Sequence, residues 1–265
     1  MNIAVLLKQT PDTESVIRIA SDGKSIVEGD LKWIMNPYDE FAVEAALRIK
    51  EKHGGSVTVI SHGPQRVTDA LRTALAMGAD SAVLIGDEAV ESAGPLPLAR
   101  ALAAAVRQVN PDIVLCGSRS VDYDNAQRGP MVAEFLGWPH LGLAVSLEID
   151  DSKVTVVRPV ESGKLTLEAD LPALVTLGGS HSVWKPRYAS LPGIMKAKKK
   201  PLAVKSLADL GLEASAFTAE AAKVRVVRLE MPPERAPGRM IDGGLDTQGK
   251  ARELVRVLHE EARLI

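Results

Sequence analysis

The sequence predicts an α/β fold: a doubly wound, mostly parallel sheet with an antiparallel hairpin extension, a C-terminal arm and a closing helix. Three observations predict it. Four short apolar runs, residues 3–7, 57–60, 82–85 and 113–116, are rich in Val, Ile and Leu and bounded by Gly, Pro, Asp or Ser. Such runs suit strands buried on both faces of a parallel sheet. Helix-length segments at 39–52, 67–77, 98–109 and 125–136 alternate with them, and that alternation implies right-handed crossovers. Past about residue 141 the pattern changes to consecutive strands at 143–149, 153–159 and 164–169, joined by the turn-type sequences Asp150-Asp151-Ser152 and Glu161-Ser162-Gly163.

Taken in order, the first crossover is interrupted by a small hairpin, 16–20 and 25–27, around Ser21-Asp22-Gly23-Lys24. In segment 39–52, Phe41, Ala42, Ala45, Ala46 and Ile49 share one face, with Glu44, Arg48 and Lys52 as a charged series beside it. Gly54-Gly55 and Gly78 stand where left-handed helix caps are expected. The three consecutive strands are each too small to bury a core, so they are expected to extend the same sheet. Residues 174–177 return as a buried strand, and 178–201 follow without clear periodicity. A loop of that length in a compact chain is usually functional or disordered. Residues 231–245 are an extended Pro/Gly-rich arm, and 247–264 an amphipathic helix with Leu254, Val257 and Leu258 on one face. The expected division is therefore a domain over 1–230, including a loop at 182–200, and an arm and helix over 231–265.

The 265 residues, 46% of them hydrophobic, carry a formal charge of −2. That composition excludes wholesale disorder and argues against a dedicated nucleic-acid binder. No run approaches the ~20 apolar residues of a membrane helix. The N-terminus enters a strand without the basic region of a signal peptide. The single cysteine, Cys116, excludes an intrachain disulfide and a Cys-only metal site. A protein without membrane insertion, in the cytoplasm, is the expectation.

The most informative stretch is Cys116-Gly117-Ser118-Arg119-Ser120-Val121-Asp122-Tyr123-Asp124-Asn125-Ala126-Gln127-Arg128-Gly129-Pro130. It follows a buried strand and leads into a helix, which puts it at the carboxyl edge of the sheet, where open α/β sheets bind ligands. The glycine permits close backbone approach, and free N–H groups at the helix start favour a phosphate. Arg119 and Arg128 can add charge-assisted contacts, and Asp122 and Asp124 can accept from ribose hydroxyls or cap the helix. The alternative is a well-capped loop with solvated charges. Asn36-Pro37-Tyr38-Asp39 begins the first long helix, with Asn36 and Pro37 placed as cap and first-turn residues. His62 follows the second buried strand near the same crevice, as a ligand contact or a hydrogen-bonded edge residue. No Walker-type loop, nucleophile elbow or metal-binding histidine spacing occurs. A binding fold without catalytic groups suggests a carrier or cofactor holder; a nucleotide hydrolase or transferase on the same sheet is the alternative.

The other singular segment is Pro186-Arg187-Tyr188-Ala189-Ser190-Leu191-Pro192-Gly193-Ile194-Met195-Lys196-Ala197-Lys198-Lys199-Lys200-Pro201. Leu191, Ile194 and Met195 lie beside four lysines in an expected surface loop, with Pro192-Gly193 holding Leu191 at a turn. Exposed apolar residues beside concentrated charge mark interaction sites; a solvated basic loop or a nucleic-acid patch are the alternatives.

On these residues the chain resembles the small (beta) subunit of the electron-transferring flavoproteins. The resemblance runs from Met1 through the final helix. Its most specific element is residues 186–200, supported by Asn36-Pro37-Tyr38-Asp39-Glu40, by residues 70–80, and by 122–130 with Gly137-Trp138-Pro139. It implies a heterodimer with an alpha subunit that holds most of a redox-active FAD, while the beta subunit binds AMP in a structural role. It also implies electrons arriving from acyl-CoA dehydrogenases and leaving to a membrane quinone oxidoreductase, without catalytic residues in this chain. Carried over by position, the nucleotide contacts are Leu6, Asn36, Pro37, Tyr38, Asp39, His62, Gly117, Ser118, Arg119, Ser120, Val121, Asp122, Tyr123, Asp124, Asn125, Ala126, Gln127 and Arg128. The docking residues are Tyr188, Leu191, Pro192, Ile194, Met195 and Lys196, with Leu191 as the anchor; Lys196 and Lys199 match positions methylated in some members. An arm and helix tethered like those over 231–265 often pack on a partner chain, here the alpha subunit, with docking back on the same chain as the alternative. In the electron-bifurcating branch a second FAD replaces the AMP. Lys8-Gln9-Thr10-Pro11-Asp12-Thr13 is similar to that branch, whereas Asn125 and Arg128 depart from it, and the cationic Arg128 favours AMP. Pro159 stands where the family usually has Glu, which puts an intersubunit polar contact in doubt.

Overall fold

A computed structural model describes residues 1–178, 184–218, 223–234 and 237–265, with the backbone alone for 91 and 92. In chain order the elements begin β1 (Asn2–Leu6), β2 (Gln9–Pro11), β3 (Trp33–Met35), α1 (Pro37–His53), β4 (Ser56–His62), α2 (Val67–Met77) and β5 (Ser81–Ile85). They continue α3 (Glu88–Ser92), α4 (Pro95–Val109), β6 (Ile113–Gly117), α5 (Arg128–Leu136), β7 (His140–Ala144), β8 (Ser146–Asp150) and β9 (Lys153–Val160). The last are β10 (Gly163–Asp170), β11 (Ala173–Leu177), α6 (Leu191–Ala197), β12 (Leu202–Lys205) and α7 (Thr247–Arg256). The chain divides into two compact units, 1–228 and 229–265.

The larger unit is built on seven parallel strands in the order β12-β5-β4-β1-β6-β11-β7. Side chains alternate across a strand, so a central strand with a continuous apolar run must feed two cores. β1 does this. Ile3 and Val5 join the layer under α1 and α2, while Ala4 and Leu6 join the layer with α4, Ile60, Val114 and Cys116. The sheet and its helices are thus the expected α/β architecture.

The antiparallel strands expected after residue 141 are also present, but they form a sheet of their own, in the order β10-β9-β8, rather than further strands of the parallel one. The segment expected as one strand over 143–149 splits. β7 pairs parallel with β11, Leu143 takes a left-handed φ of 58°, and β8 then starts antiparallel to β9. The Val145 N–H still donates to the Val157 carbonyl (2.8 Å), and Leu147, Ile149, Val154 and Val156 bury against the main core.

Other differences have local causes. The helix expected from residue 125 starts at Arg128, because Asp124 and Ala126 hold φ of 50° and 52°, which a right-handed helix does not allow. The hairpin near residue 20 reduces to a single bridge between Ile19 and Ile26. Within the segment expected as a structureless loop lies α6, capped by the Ser190 hydroxyl, which accepts from the Gly193 N–H (3.1 Å). β12, only partly buried, has an apolar run of just three residues, Leu202-Ala203-Val204, too short to announce it.

The smaller unit ends in α7, whose first turn is capped by Asp246 accepting from the Gly249 N–H (2.7 Å). The helix expected to 264 holds its α-geometry to Arg256 and widens into a π-turn over Val257–Glu261, with Arg256 donating to Glu253, Glu260 and Glu261.

Phe217 is a fully buried aromatic of the α4 layer. Phe217→Ala is expected to lower unfolding free energy by about 3–5 kcal/mol in urea titrations.

Candidate functional site

β1 lies between β4 and β6, so the chain exits of these three strands sit side by side at one sheet edge. Asp39, in the first turn of α1, joins two of them. Its Oδ2 accepts from the Lys8 N–H (2.8 Å), just past β1, and its Oδ1 from the Gly117 N–H (2.9 Å), at the end of β6. The side chain is buried, and burial raises its pKa, against the opposing pull of Arg128 and these hydrogen bonds. Asn36 does not cap α1 with its side chain. Its amide instead donates to the Arg119 carbonyl (2.9 Å) and accepts from the Val121 N–H (3.2 Å). Gly117 is required by proximity: a Cβ there would lie 2.6 Å from Asp39 Oδ1 and 2.7 Å from the Tyr38 carbonyl carbon.

The loop after β6 then folds back over β1 and β4. The Lys8 ammonium pairs with Asp122 and sits 4.4 Å over the Tyr123 ring. Burial lowers the Lys8 pKa and Asp122 counters it, while Arg128 adds to the lowering. Arg119 lies 5.7 Å over the Tyr38 ring and 3.2 Å from Asp124. Beneath them, neither ring nitrogen of His62 is solvent-accessible or has a hydrogen-bond partner among the described residues. Burial, with Arg128 and Lys8 nearby, pushes its pKa well below 6.5, so the ring is neutral. Burial also pushes the Cys116 thiol up to about 12, which makes it unreactive.

A narrow cleft, with a cavity volume of about 20 Å³, opens among Asp39, Gly117, Ser118, Arg119, Ser120, Asn125, Ala126, Gln127 and Arg128. At its floor is the start of α5, which no side chain caps among the described residues. Gly129 packs it tightly on the sheet, since a Cβ there would come within 2.4 Å of Thr176. An uncapped helix start flanked by arginines, with two serines on the approach, suits a phosphate. The two orphaned His62 nitrogens offer a donor and an acceptor. The start of α5, Ser118, Ser120 and Arg128, all lining the cleft, fit the phosphate of an adenine nucleotide.

Not every expected contact converges. Leu6 is wholly in the core and does not line the cleft. Tyr123 is largely exposed beside Lys8, and Val121 serves the loop through its N–H to Asn36. Lys8 belongs to the cluster although the sequence offered it only as the first residue of the stretch 8–13 and not as a site contact; its place just after a buried strand is the physical signal. Across the molecule, Tyr188, Leu191, Pro192, Ile194, Met195 and Lys196 all lie exposed on or just before α6. Residues 182 and 183 of the expected docking loop lie outside the described residues. A wider cleft of about 530 Å³ runs beside the contact between α6 and α2. No cluster able to hold a metal occurs among the described residues, and no described helix is long and apolar enough to cross a membrane.

The model of the electron transfer flavoprotein domain matches residues 24–210. The electron transfer flavoprotein subunit beta of Bacillus subtilis is 38% identical over 266 residues, covering 100% of both chains. That of Sus scrofa is 39% identical, covering 96% of this chain and 97% of its own, and that of Homo sapiens 37%, covering 97% and 99%. The chain belongs to the electron transfer flavoprotein beta-subunit family. As a beta subunit it works with an alpha subunit, as an electron carrier rather than a catalyst, in a flavin-containing assembly.

Two outcomes follow from the site of this beta subunit. Gly117→Ala must displace Asp39 or the α1 backbone, and is expected to cost about 1–3 kcal/mol in urea unfolding. His62 binds no proton in the native state at pH values where the unfolded chain does, so its contribution to stability is present above pH 6.5 and is lost as pH falls from there toward its depressed native value. Unfolding free energy between pH 7.5 and 5 should therefore fall less steeply for His62→Asn than for the wild type.

Proposed function

We propose that this beta subunit binds AMP as a structural nucleotide in the cleft at the start of α5. In this reading it completes, across the alpha interface, the site of an FAD held mainly by the alpha subunit, and docks acyl-CoA dehydrogenases through Leu191. Electrons pass on to a membrane quinone oxidoreductase, and the heterodimer works in the cytoplasm. The flavin supplies the redox chemistry. The residues of this chain bind, orient and exclude water. The arm and helix after residue 230 pack on the alpha subunit.

The observation that carries the reading is the uncapped start of α5, set beside Gly117, Arg119 and Arg128 and held there by Asp39. Such a cleft suits a phosphate, while the buried and neutral His62 and the raised Cys116 thiol offer no nucleophile or poised base. That favours a held nucleotide over a hydrolysed one. Arg128, next to the helix start, favours a monophosphate over the longer diphosphate of a second FAD.

Heat release of ligands from the purified heterodimer, followed by chromatography, tests this. One FAD and one AMP per heterodimer are expected. Two FAD would assign the chain to a bifurcating assembly, and absence of adenine nucleotide from this subunit would remove both readings. For docking, Leu191→Ala is expected to lower kcat/KM with a reduced acyl-CoA dehydrogenase about tenfold or more, as for a central apolar anchor, with flavin content unchanged.

A further inference from the structure

The segment that exposes Tyr188 and Leu191 is fastened to the rest of the fold by side chains that take no part in its exposed face. On the α1 side, Arg187 donates from Nε to Glu44 (2.7 Å) and from its terminal nitrogens to Glu44 (3.1 Å) and Glu51 (2.5 and 3.2 Å). Its backbone N–H goes to Glu44 as well (3.2 Å). Glu44 is 1% exposed and also accepts from Arg48 Nε (2.6 Å). Burial alone would raise the Glu44 pKa, but the hydrogen bonds from Arg187 and Arg48 hold it below the ordinary carboxylate range, so the group stays charged and the fork stays charge-assisted.

On the α2 side, Arg72 donates to the carbonyls of Ala197 (2.6 Å) and Lys200 (2.8 Å), which close the C-terminal end of α6. Lys200 in turn donates to the carbonyls of Leu75 (2.9 Å) and Ala79 (2.5 Å). Gly193 lets the two helices touch, since a Cβ there would stand 2.4 Å from the Ala76 carbonyl oxygen.

A helix of seven residues does not hold its shape alone in water. Here it is held, and it projects Leu191 (74% exposed) and Met195 (67% exposed) into solvent instead of folding them back. We infer that Arg187 is a positioning residue for docking: its fork on Glu44 and Glu51 fixes the place from which α6 presents Leu191, so the partner meets a preformed knob. The inference rests on the docking role proposed for Leu191. A partner that meets a loose segment must order it at every encounter. Redox encounters use small interfaces, so that cost should appear in KM for the partner rather than in kcat.

The test is a double-mutant cycle in the heterodimer, with an acyl-CoA dehydrogenase reduced by its acyl-CoA as donor and a dye as terminal acceptor. Arg187→Met should raise KM about fivefold, as expected when one or two side chains must be immobilised at each encounter, with kcat within about twofold of the wild type. Leu191→Ala should raise KM too, and adding Arg187→Met to it should cause no further rise, since a residue acting only through Leu191 is not additive with it. Glu51→Gln, at an exposed carboxylate, leaves Glu44 paired and should raise KM by a smaller factor; it carries the test if Arg187→Met does not fold. An unchanged KM in both Arg187→Met and Glu51→Gln overturns the inference. So does a rise from Arg187→Met that is equal in the wild type and in the Leu191→Ala variant. An unchanged KM for Leu191→Ala would instead remove the docking role itself, and the positioning role with it.

Discussion

The candidate site depends on one buried carboxylate. Asp39 accepts the first free N–H after β1 and the N–H at the end of β6, and so fixes where two strands release the chain. A buried charge is tolerated only when hydrogen-bonded and paired. Here the two backbone donors and the Arg128 charge oppose the desolvation, which still raises the Asp39 pKa. Because Asp39 is packed so close to Gly117, the loop from 118 to 127 has a fixed origin. Asn36, one turn earlier, then ties that loop a second time through Arg119 and Val121. The start of α5 and its uncapped N–H groups are thereby carried to the crevice.

The chemistry of the site follows from burial rather than from reactive groups. Desolvation holds His62 in its neutral form and shifts the Cys116 thiol away from its thiolate. Enzymes usually shift such groups toward the operating pH so that they can exchange protons. In this chain the shifts remove that capacity. A pocket that is shaped and charged, with its histidine and cysteine held inert, agrees with a subunit of an electron carrier.

The same device recurs at α6, where a nearly inaccessible Glu44 holds Arg187 as Asp39 holds two backbone amides. In both places a charge on α1 is kept from water by the chain segment it organises. Both segments lie in the larger unit, so α1 acts as the common anchor of the crevice loop and of the exposed apolar face.

The parallel sheet and its helices were legible in the sequence, because burial on both faces leaves an uninterrupted apolar run and a helix leaves its own period. The crevice residues were legible too: strand, glycine loop and helix start are consecutive in the chain, and their order alone puts them at a carboxyl edge. What the chain order did not contain is who holds them. Asp39 reaches 78 residues to Gly117, and Arg187 reaches 143 residues to Glu44. A hydrogen bond between such distant positions leaves no periodicity. The separation of the antiparallel strands into their own sheet turned on a single left-handed residue, Leu143, of a type that ordinarily avoids that conformation. The helix α6 likewise exists because α1 and α2 hold it, and an aperiodic stretch of apolar residues and lysines does not announce that. Local pattern therefore decided the elements and the edge where the site lies, and long-range charge and close packing decided the geometry of the site.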